Sequence, residues 1–263
     1  MRFSSLGSGS KGNSTVVQCD DTVILIDCGF SIKETERRLD FLELKPKDIN
    51  AIVVTHEHSD HIRGVFPLAK KYKLPVMMTS GTSKFLKGDL QAGLMLIDTH
   101  SDFFIGKLQI TPVSVAHDAR EPVQFVVRGE GLTLGILTDL GTVTRHVIEC
   151  YKQCDGLIVE SNHDMRMLAN GPYSNALKKR VGGAWGHLNN EQMLYFLKNI
   201  QLSQLQQLVI GHISQKNNSV SLVRAVISEV SSQLASVSYA TQDEGFLWVN
   251  LKTKHIGEED FLR

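Results

Sequence analysis

The stretch Thr55-His-Glu-His-Ser-Asp-His-Ile-Arg-Gly64 gathers three imidazoles and a carboxylate, His56, His58, Asp60 and His61, within six residues. It follows the apolar run AIVV, so it sits at the C-terminal end of a buried strand, Ile49–Thr55. Open sheets place their ligand sites at such ends. His56 and His58 alternate, so in extended chain both point the same way. Asp60 and His61 begin the next element, a helix expected from His61 to Tyr72, and turn toward the same cavity from another side. The spacing is not H-E-x-x-H, because His58 is two residues after His56. Taking this many polar groups out of water without a partner is costly, which argues against a chance cluster and for a metal.

Four ligands on adjacent loops serve two ions but cannot complete both shells, so more are needed at other strand ends. His117 follows TPVSVA, Asp139 follows LGILT and His212 follows LVIG. H-x-H-x-D-H, a later lone His, an Asp and a final His together resemble the metallo-β-lactamase superfamily, over nearly the whole chain. The resemblance implies an α/β fold, a four-layer αββα sandwich in a single domain over residues 1–263, with two divalent metals at one edge. It implies that His56, His58 and His117 take the first metal and that Asp60, His61 and His212 take the second. Asp139 bridges them, with a water or hydroxide as the other bridge. Asp27, closing the apolar run VILID, matches the family's first motif and supports the histidine loop without binding metal.

Near the start, Leu6-Gly-Ser-Gly-Ser-Lys-Gly-Asn13 contains G-x-G-x-x-G at Gly7, Gly9 and Gly12. A dinucleotide-binding fingerprint needs a strand before this loop and a helix after it. Here β-branched STVVQC follows, then the turn signal Asp20-Asp21, then a second β run to Asp27. The segment reads as strand, tight loop, strand, turn, strand, with no room for a helix. The glycines then serve a turn with positive φ, or a loop whose backbone N–H groups face an anion. By the resemblance, the loop lies beside the metal site, with Ser8, Gly9, Ser10 and Asn13 as substrate-binding residues and Asn13 anchoring its geometry.

Further motifs narrow the branch. Thioesterase members carry P-G-H-T and T-G-D, where this chain has Val115-Ala-His-Asp118 and Thr138-Asp-Leu-Gly141. The best-known lactamases have Cys in place of Asp139. Leu157-Ile-Val-Glu-Ser-Asn-His-Asp164 and Gly186-His-Leu-Asn-Asn190 resemble the Glu strand and His helix start of the RNase Z group. Ser161-Asn-His departs from that group, no exosite arm is visible, and Asp139 to Glu160 is too short for a β-CASP insertion. SGSKGN, ESNHD, GHLNN and HISQKNN are most similar to the YycJ/WalJ/VicX group of bacterial proteins. That group implies 5′-to-3′ exonuclease action on DNA, with DNA ends as the partner.

The rest of the chain sets bounds. Its 263 residues carry 28 basic and 28 acidic side chains, a formal net charge of zero. This opposes a protein that coats nucleic acid, but not a local phosphate site. The first residues show no apolar h-region and no apolar run is long enough to span a membrane, so no signal peptide and a cytoplasmic protein are expected. Cys19, Cys28, Cys150 and Cys154 read as buried, reduced thiols, which suits that compartment. Ser31 with Glu34 forms a capping box for a helix to about Glu43. Further strands are expected at Val76–Thr79, Leu108–Ala116, Gln124–Arg128, Leu132–Thr138, Leu157–Glu160, Leu208–Ile210, Val237–Ala240 and Phe246–Val249. Further helices are expected at Thr142–Lys152, Asn189–Asn199 and Ser219–Gln233.

The chemistry implied is phosphodiester hydrolysis. Two dications make hydroxide available near neutral pH, and the loop amides take up charge on the phosphate oxygens. His187 is the candidate proton donor to the leaving oxygen, with Glu160 fixing its tautomer, and His163 is the second candidate. Asp60 counts among the catalytic residues as well as the ligands. His100, His146 and His255 read as surface or structural. Lys178-Lys179-Arg180 is either a backbone grip or a solvated face. Two other functions stay open: hydrolysis of a small phosphodiester or thioester metabolite, and a non-catalytic regulatory protein on the same fold. Zinc, manganese and iron all suit the ligand types, and oligomeric state is not legible.

Overall fold

A computed structural model describes residues 1–86, 93–243 and 245–253. Among the described residues, fourteen strands form two seven-stranded mixed sheets. They are β1 (Arg2–Gly7), β2 (Ser14–Cys19), β3 (Thr22–Ile26), β4 (Ala51–Val53), β5 (Val76–Thr79), β6 (Leu94–Ile97), β7 (Phe103–Ile105), β8 (Leu108–Ser114), β9 (Val123–Gly129), β10 (Leu132–Leu137), β11 (Gly156–Glu160), β12 (Gln207–Gly211), β13 (Val237–Tyr239) and β14 (Phe246–Asn250). One sheet runs β14-β1-β2-β3-β4-β5-β6, the other β13-β12-β11-β10-β9-β8-β7. Pairings from β3 to β6 and from β10 to β13 are parallel, and those around them antiparallel.

Strand side chains alternate between faces, and here both faces are apolar. Ile24 and Ile26 of β3 join Phe125, Leu134, Ile158 and Val209 in the core between the sheets. Val23 and Leu25 point the other way, to a core with Leu39 and Leu68. On the far side, Leu157, Val159 and Ile210 meet Val147, Phe196 and Val223. These three apolar layers hold four layers of structure: helices, sheet, sheet, helices. This is the αββα sandwich expected from the sequence.

The helices are α1 (Ile32–Asp40), α2 (Ser59–Ile62), α3 (Val65–Tyr72), α4 (Ser80–Ser83), α5 (Arg145–Tyr151), α6 (Met165–Asn170), α7 (Asn175–Val181), α8 (Asn190–Lys198) and α9 (Val220–Ile227). Several differ from expectation. Only half of the capping box before α1 forms: the Ser31 hydroxyl accepts from the Glu34 N–H, but the Glu34 carboxylate binds Arg37 and Arg38 instead of reaching back. That helix ends at Asp40, three residues early, and Glu43 adopts φ 58° in the turn that follows. The helix from His61 to Tyr72 divides at Gly64. A Cβ there would lie 2.0 Å from the Phe30 carbonyl oxygen, and the Gly64 N–H bonds Cys28 instead. The last long helix stops at Ile227, with a separate 3-10 turn at Ser231–Gln233. β6, β7, α4, α6 and α7 lie where no element was expected.

Cys19, Cys28 and Cys154 are buried and all four thiols are free, but Cys150 is only half-buried on α5. His100 and His146 are exposed, while His255 lies outside the described residues. Among the described residues, no helix is long and apolar enough to cross a membrane.

Candidate metal centre

All the expected ligands come from segments that follow β4, β8, β10 and β12, Asp60 and His61 from α2 and the others from loops. β4 ends at Val53, earlier than Thr55, because the Thr55 N–H leaves the ladder to bond the Asp27 carboxylate at 2.8 Å. The Thr55 hydroxyl donates to the other Asp27 oxygen at 2.7 Å, and His61 Nδ1 lies 2.8 Å from that same oxygen. Asp27 thus meets both Thr55 and His61 from behind the histidine loop. His58 then caps α2, and the helical turn brings Asp60 and His61 back toward the sheet.

Hydrogen bonding fixes the tautomers of the first ligand set. The Thr55 hydroxyl has given its proton to Asp27, so at 2.9 Å it accepts from His56 Nδ1. Carbonyl oxygens accept from His117 Nδ1 (Gly186, 3.0 Å) and from His58 Nε2 (Asp118, 3.2 Å). The remaining nitrogens, His56 Nε2, His58 Nδ1 and His117 Nε2, therefore carry lone pairs. They converge, with His58 Nδ1 3.0 Å from His56 Nε2 and 3.2 Å from His117 Nε2. Three facing lone pairs repel unless a cation lies among them. Burial also lowers the pKa of His56 and of His117, which favours the neutral, donor-ready rings.

The second set surrounds Asp139. Its Oδ2 lies 3.5 Å from His61 Nε2 and its Oδ1 3.2 Å from His212 Nδ1. Asp139 Oδ2 and His212 Nδ1 are both buried and lack a hydrogen-bond partner. Orphaned buried atoms of this kind suit a metal. Burial works to lower the His212 pKa, but the Asp139 carboxylate outweighs it and holds the ring at about 9. A dication competes with a proton for that position. Asp60 Oδ2 stands 3.6 Å from His61 Nε2 and accepts from Asn13 Nδ2 at 3.2 Å. The donor chemistry of both sets fits divalent metal.

Asp27, Asp139 and His212 adopt φ of 60°, 55° and 52°. Left-handed backbone costs a non-glycine residue roughly 1–2 kcal/mol. Here it swings each side chain out of its strand direction, and the site contacts offset the cost.

Glu160, wholly buried at the end of β11, accepts from the Leu140 and Leu188 N–H groups through Oε1 and meets His187 Nδ1 at 3.1 Å through Oε2. His187 Nδ1 is thus the protonated nitrogen, and the ring lines the cavity. Asp139 lies close enough to share an ion with Glu160, His187 and His212, and also with His56 and His61; among the described residues, the expected Asp60, His61 and His212 are not gathered into one such group. His163 does not line the cavity. Its ring is buried, its Nδ1 has no partner, and burial lowers its pKa to about 4. That placement removes it as the second proton donor.

The glycine loop joins antiparallel β1 and β2 and opens no helix. Its amides are largely committed. The Gly9 N–H bonds Asn13 Oδ1 (2.7 Å), the Lys11 N–H bonds Gln242 Oε1 (2.6 Å) and the Gly12 N–H bonds the Gly9 carbonyl (3.0 Å). The expectation that these amides take up phosphate charge is corrected accordingly. Gly9 and Ser10 line the cavity, whereas Ser8 and Asn13 stand behind it. The Ser8 hydroxyl accepts from the His212 N–H at 2.9 Å, and Asn13 Nδ2 reaches Asp60 and also lies 3.0 Å from His61 Nε2.

The cavity holds about 410 Å³ and is also lined by Asp118, Tyr173, Arg180 and Gln242. The sequence reading missed Thr55, Asp118, Tyr173 and Gln242. Thr55 and Asp118 flank recognised ligands, which was a usable signal. Tyr173 and Gln242 carried none. Of the basic run, Arg180 faces the cavity while Lys178 bonds the Ala169 carbonyl.

Residues 22–213 match the model of a β-lactamase superfamily domain. The chain is 34% identical over 234 residues to exodeoxyribonuclease YycJ of Bacillus anthracis, covering 88% of this chain and 89% of that one. It is 32% identical over 223 residues to exodeoxyribonuclease WalJ of Streptococcus pneumoniae, covering 82% and 83%. A shorter match, 32% identical over 83 residues, covers 29% of this chain and 25% of ribonuclease Z of Methanocaldococcus jannaschii. Among solved structures, zinc-bound PqqB of Methylobacterium extorquens superposes with a TM-score of 0.74 at 17% identity, over 95% and 100% of the two chains. The metallo-β-lactamase fold protein YhfI of Bacillus subtilis gives 0.72 at 16%, over 94% and 98%.

Proposed function

The chain belongs to the β-lactamase superfamily, and on that premise we propose that it is a metal-dependent phosphodiester hydrolase, a nuclease that works on DNA from its ends. The observation that carries this reading is a cavity lined by His58, whose Nδ1 converges with the unpaired nitrogens of His56 and His117, and by His187, anchored through Nδ1 on buried Glu160. The relatives named exodeoxyribonuclease, matched over more than four-fifths of each chain, support DNA as the substrate.

His56, His58 and His117 would hold one divalent ion and Asp60, His61 and His212 a second, with Asp139 between them. Such ions lower the pKa of water and neutralise phosphate oxygens. The protein's own part is orientation and proton transfer. Asp27 and Thr55 lock the rings of His56 and His61, and Ser8 and Asn13 set the His212 and Asp60 loops. His187, held through Nδ1 by Glu160, would give a proton from Nε2 to the leaving oxygen. Zinc, manganese and iron are the candidate ions. The whole of residues 1–263 is taken as one domain.

The test is hydrolysis of end-labelled duplex DNA, RNA and a chromogenic phosphodiester by protein loaded in turn with each ion. Nucleotide release from DNA ends supports the reading. Turnover of the small ester with DNA left intact points to a small phosphodiester as substrate. Inertness toward all three, with metal bound, contradicts catalysis.

A further inference from the structure

The excursion between β11 and α8 carries α6 and α7 over the cavity. α7 buries none of its residues, yet Leu177 and Arg180 on it, and Tyr173 just before it, line the cavity. Among the described lining residues, Arg180 is the only lysine or arginine and Tyr173 the only phenylalanine, tyrosine or tryptophan. Asp60, Asp118 and Asp139 line the cavity as well, and of these Asp118 alone is outside the proposed ligand sets. The Arg180 side chain is 57% exposed and pairs through Nε with Asp118, the residue after His117. The Lys216 ammonium lies 5.6 Å from the Tyr173 ring centroid.

We propose that Tyr173 and Arg180 form a nucleotide subsite, in which Tyr173 stacks a base beside the scissile phosphate and Arg180 exchanges Asp118 for the neighbouring phosphate. This rests on the nuclease reading above. An exposed ion pair contributes little, so Arg180 gives up Asp118 at small cost. Its planar fork then matches a phosphate in two hydrogen bonds. Every base has a π-face, so a tyrosine platform is indifferent to sequence. A base lying on Tyr173 has left its own stack, so the subsite takes a single-stranded or frayed end, not an intact duplex.

The test uses full-length, metal-loaded protein and a fluorescein-labelled, phosphorothioate-linked single strand that resists cleavage. Affinity is read by anisotropy across a range of salt, with a matched strand carrying abasic residues. Tyr173→Ala is expected to weaken binding of the normal strand about 10-fold and to leave the abasic strand unaffected, while Tyr173→Phe recovers most of the loss. Arg180→Ala is expected to weaken both strands alike and to flatten the log–log salt slope by about 0.7, the increment for one phosphate on a single strand. Arg180→Lys should keep the slope. If the wild type binds and both alanine variants match it in affinity and slope, the subsite is wrong and the nuclease reading stands. If the wild type neither binds nor cuts DNA, the nuclease reading falls and the subsite with it.

Discussion

At His187 the hydrogen bond from Nδ1 to Glu160 leaves Nε2 as the nitrogen free to meet a substrate, and the proposed proton transfer runs through that atom. His187→Ala is expected to lower kcat on DNA by about 10²–10⁴-fold, the usual range for general-acid help. The loss should shrink on a p-nitrophenyl ester, whose leaving group needs no proton. Equal losses on both substrates would leave binding as the role of His187. Loss of a metal would place it among the ligands, beside Asp139 and His212. Asp27 is tested differently, because it touches Thr55 and His61 and not the cavity. Asp27→Asn puts an amide donor where one of three donors already points. Metal affinity is expected to fall about 10- to 100-fold, read by competition against a chelator. Unchanged affinity would mean that the ring orientations do not depend on Asp27. Most of this chemistry was legible in the chain, because histidines beside apolar runs are rare without cause. Gln242 was not. It grips the glycine loop from more than 200 positions away, and no local pattern marks such a contact.

Elements that pack by periodic apolar faces, such as β3, β4, β10, β11, β12 and α8, were readable to within two residues or so. α6 and α7 were not, because only Leu168 is buried in the first and nothing in the second, so neither carries an apolar stripe. β6 was missed for the same reason, as none of its residues is fully buried. The break at Gly64 and the approach at Gly29 depend on backbone contacts that composition does not reveal. At Gly29 a Cβ would lie 1.8 Å from the Asp60 carbonyl oxygen, which accepts the Asn13 N–H at 2.8 Å. This glycine therefore lets three loops of the site close on one another. Gly29→Ala is expected to destabilise the protein by about 1–3 kcal/mol, the usual cost of overpacking, read as a lower urea midpoint with an unchanged slope. A midpoint equal to that of the wild type would show that the loops are not locked there.

Across the whole molecule, three apolar layers carry the sandwich and leave the polar chemistry to one edge. The same layering governs the thiols. Burial raises the pKa of Cys28 to about 11 and of Cys154 to about 12, while Cys150 sits half-exposed on α5. A thiol reagent is expected to modify Cys150 alone in the native protein and all four cysteines in denaturant. Rapid modification of Cys28 in the native state would contradict the closed core beneath α1. The central claim is the proposal made for the edge, that two overlapping ligand sets sharing Asp139 would hold two divalent ions. Elemental analysis of protein purified without chelator and saturated with zinc or manganese tests it most directly. Two ions per chain are expected, falling when His58 is replaced by alanine. A ceiling of one ion at saturating metal would contradict the two-metal centre.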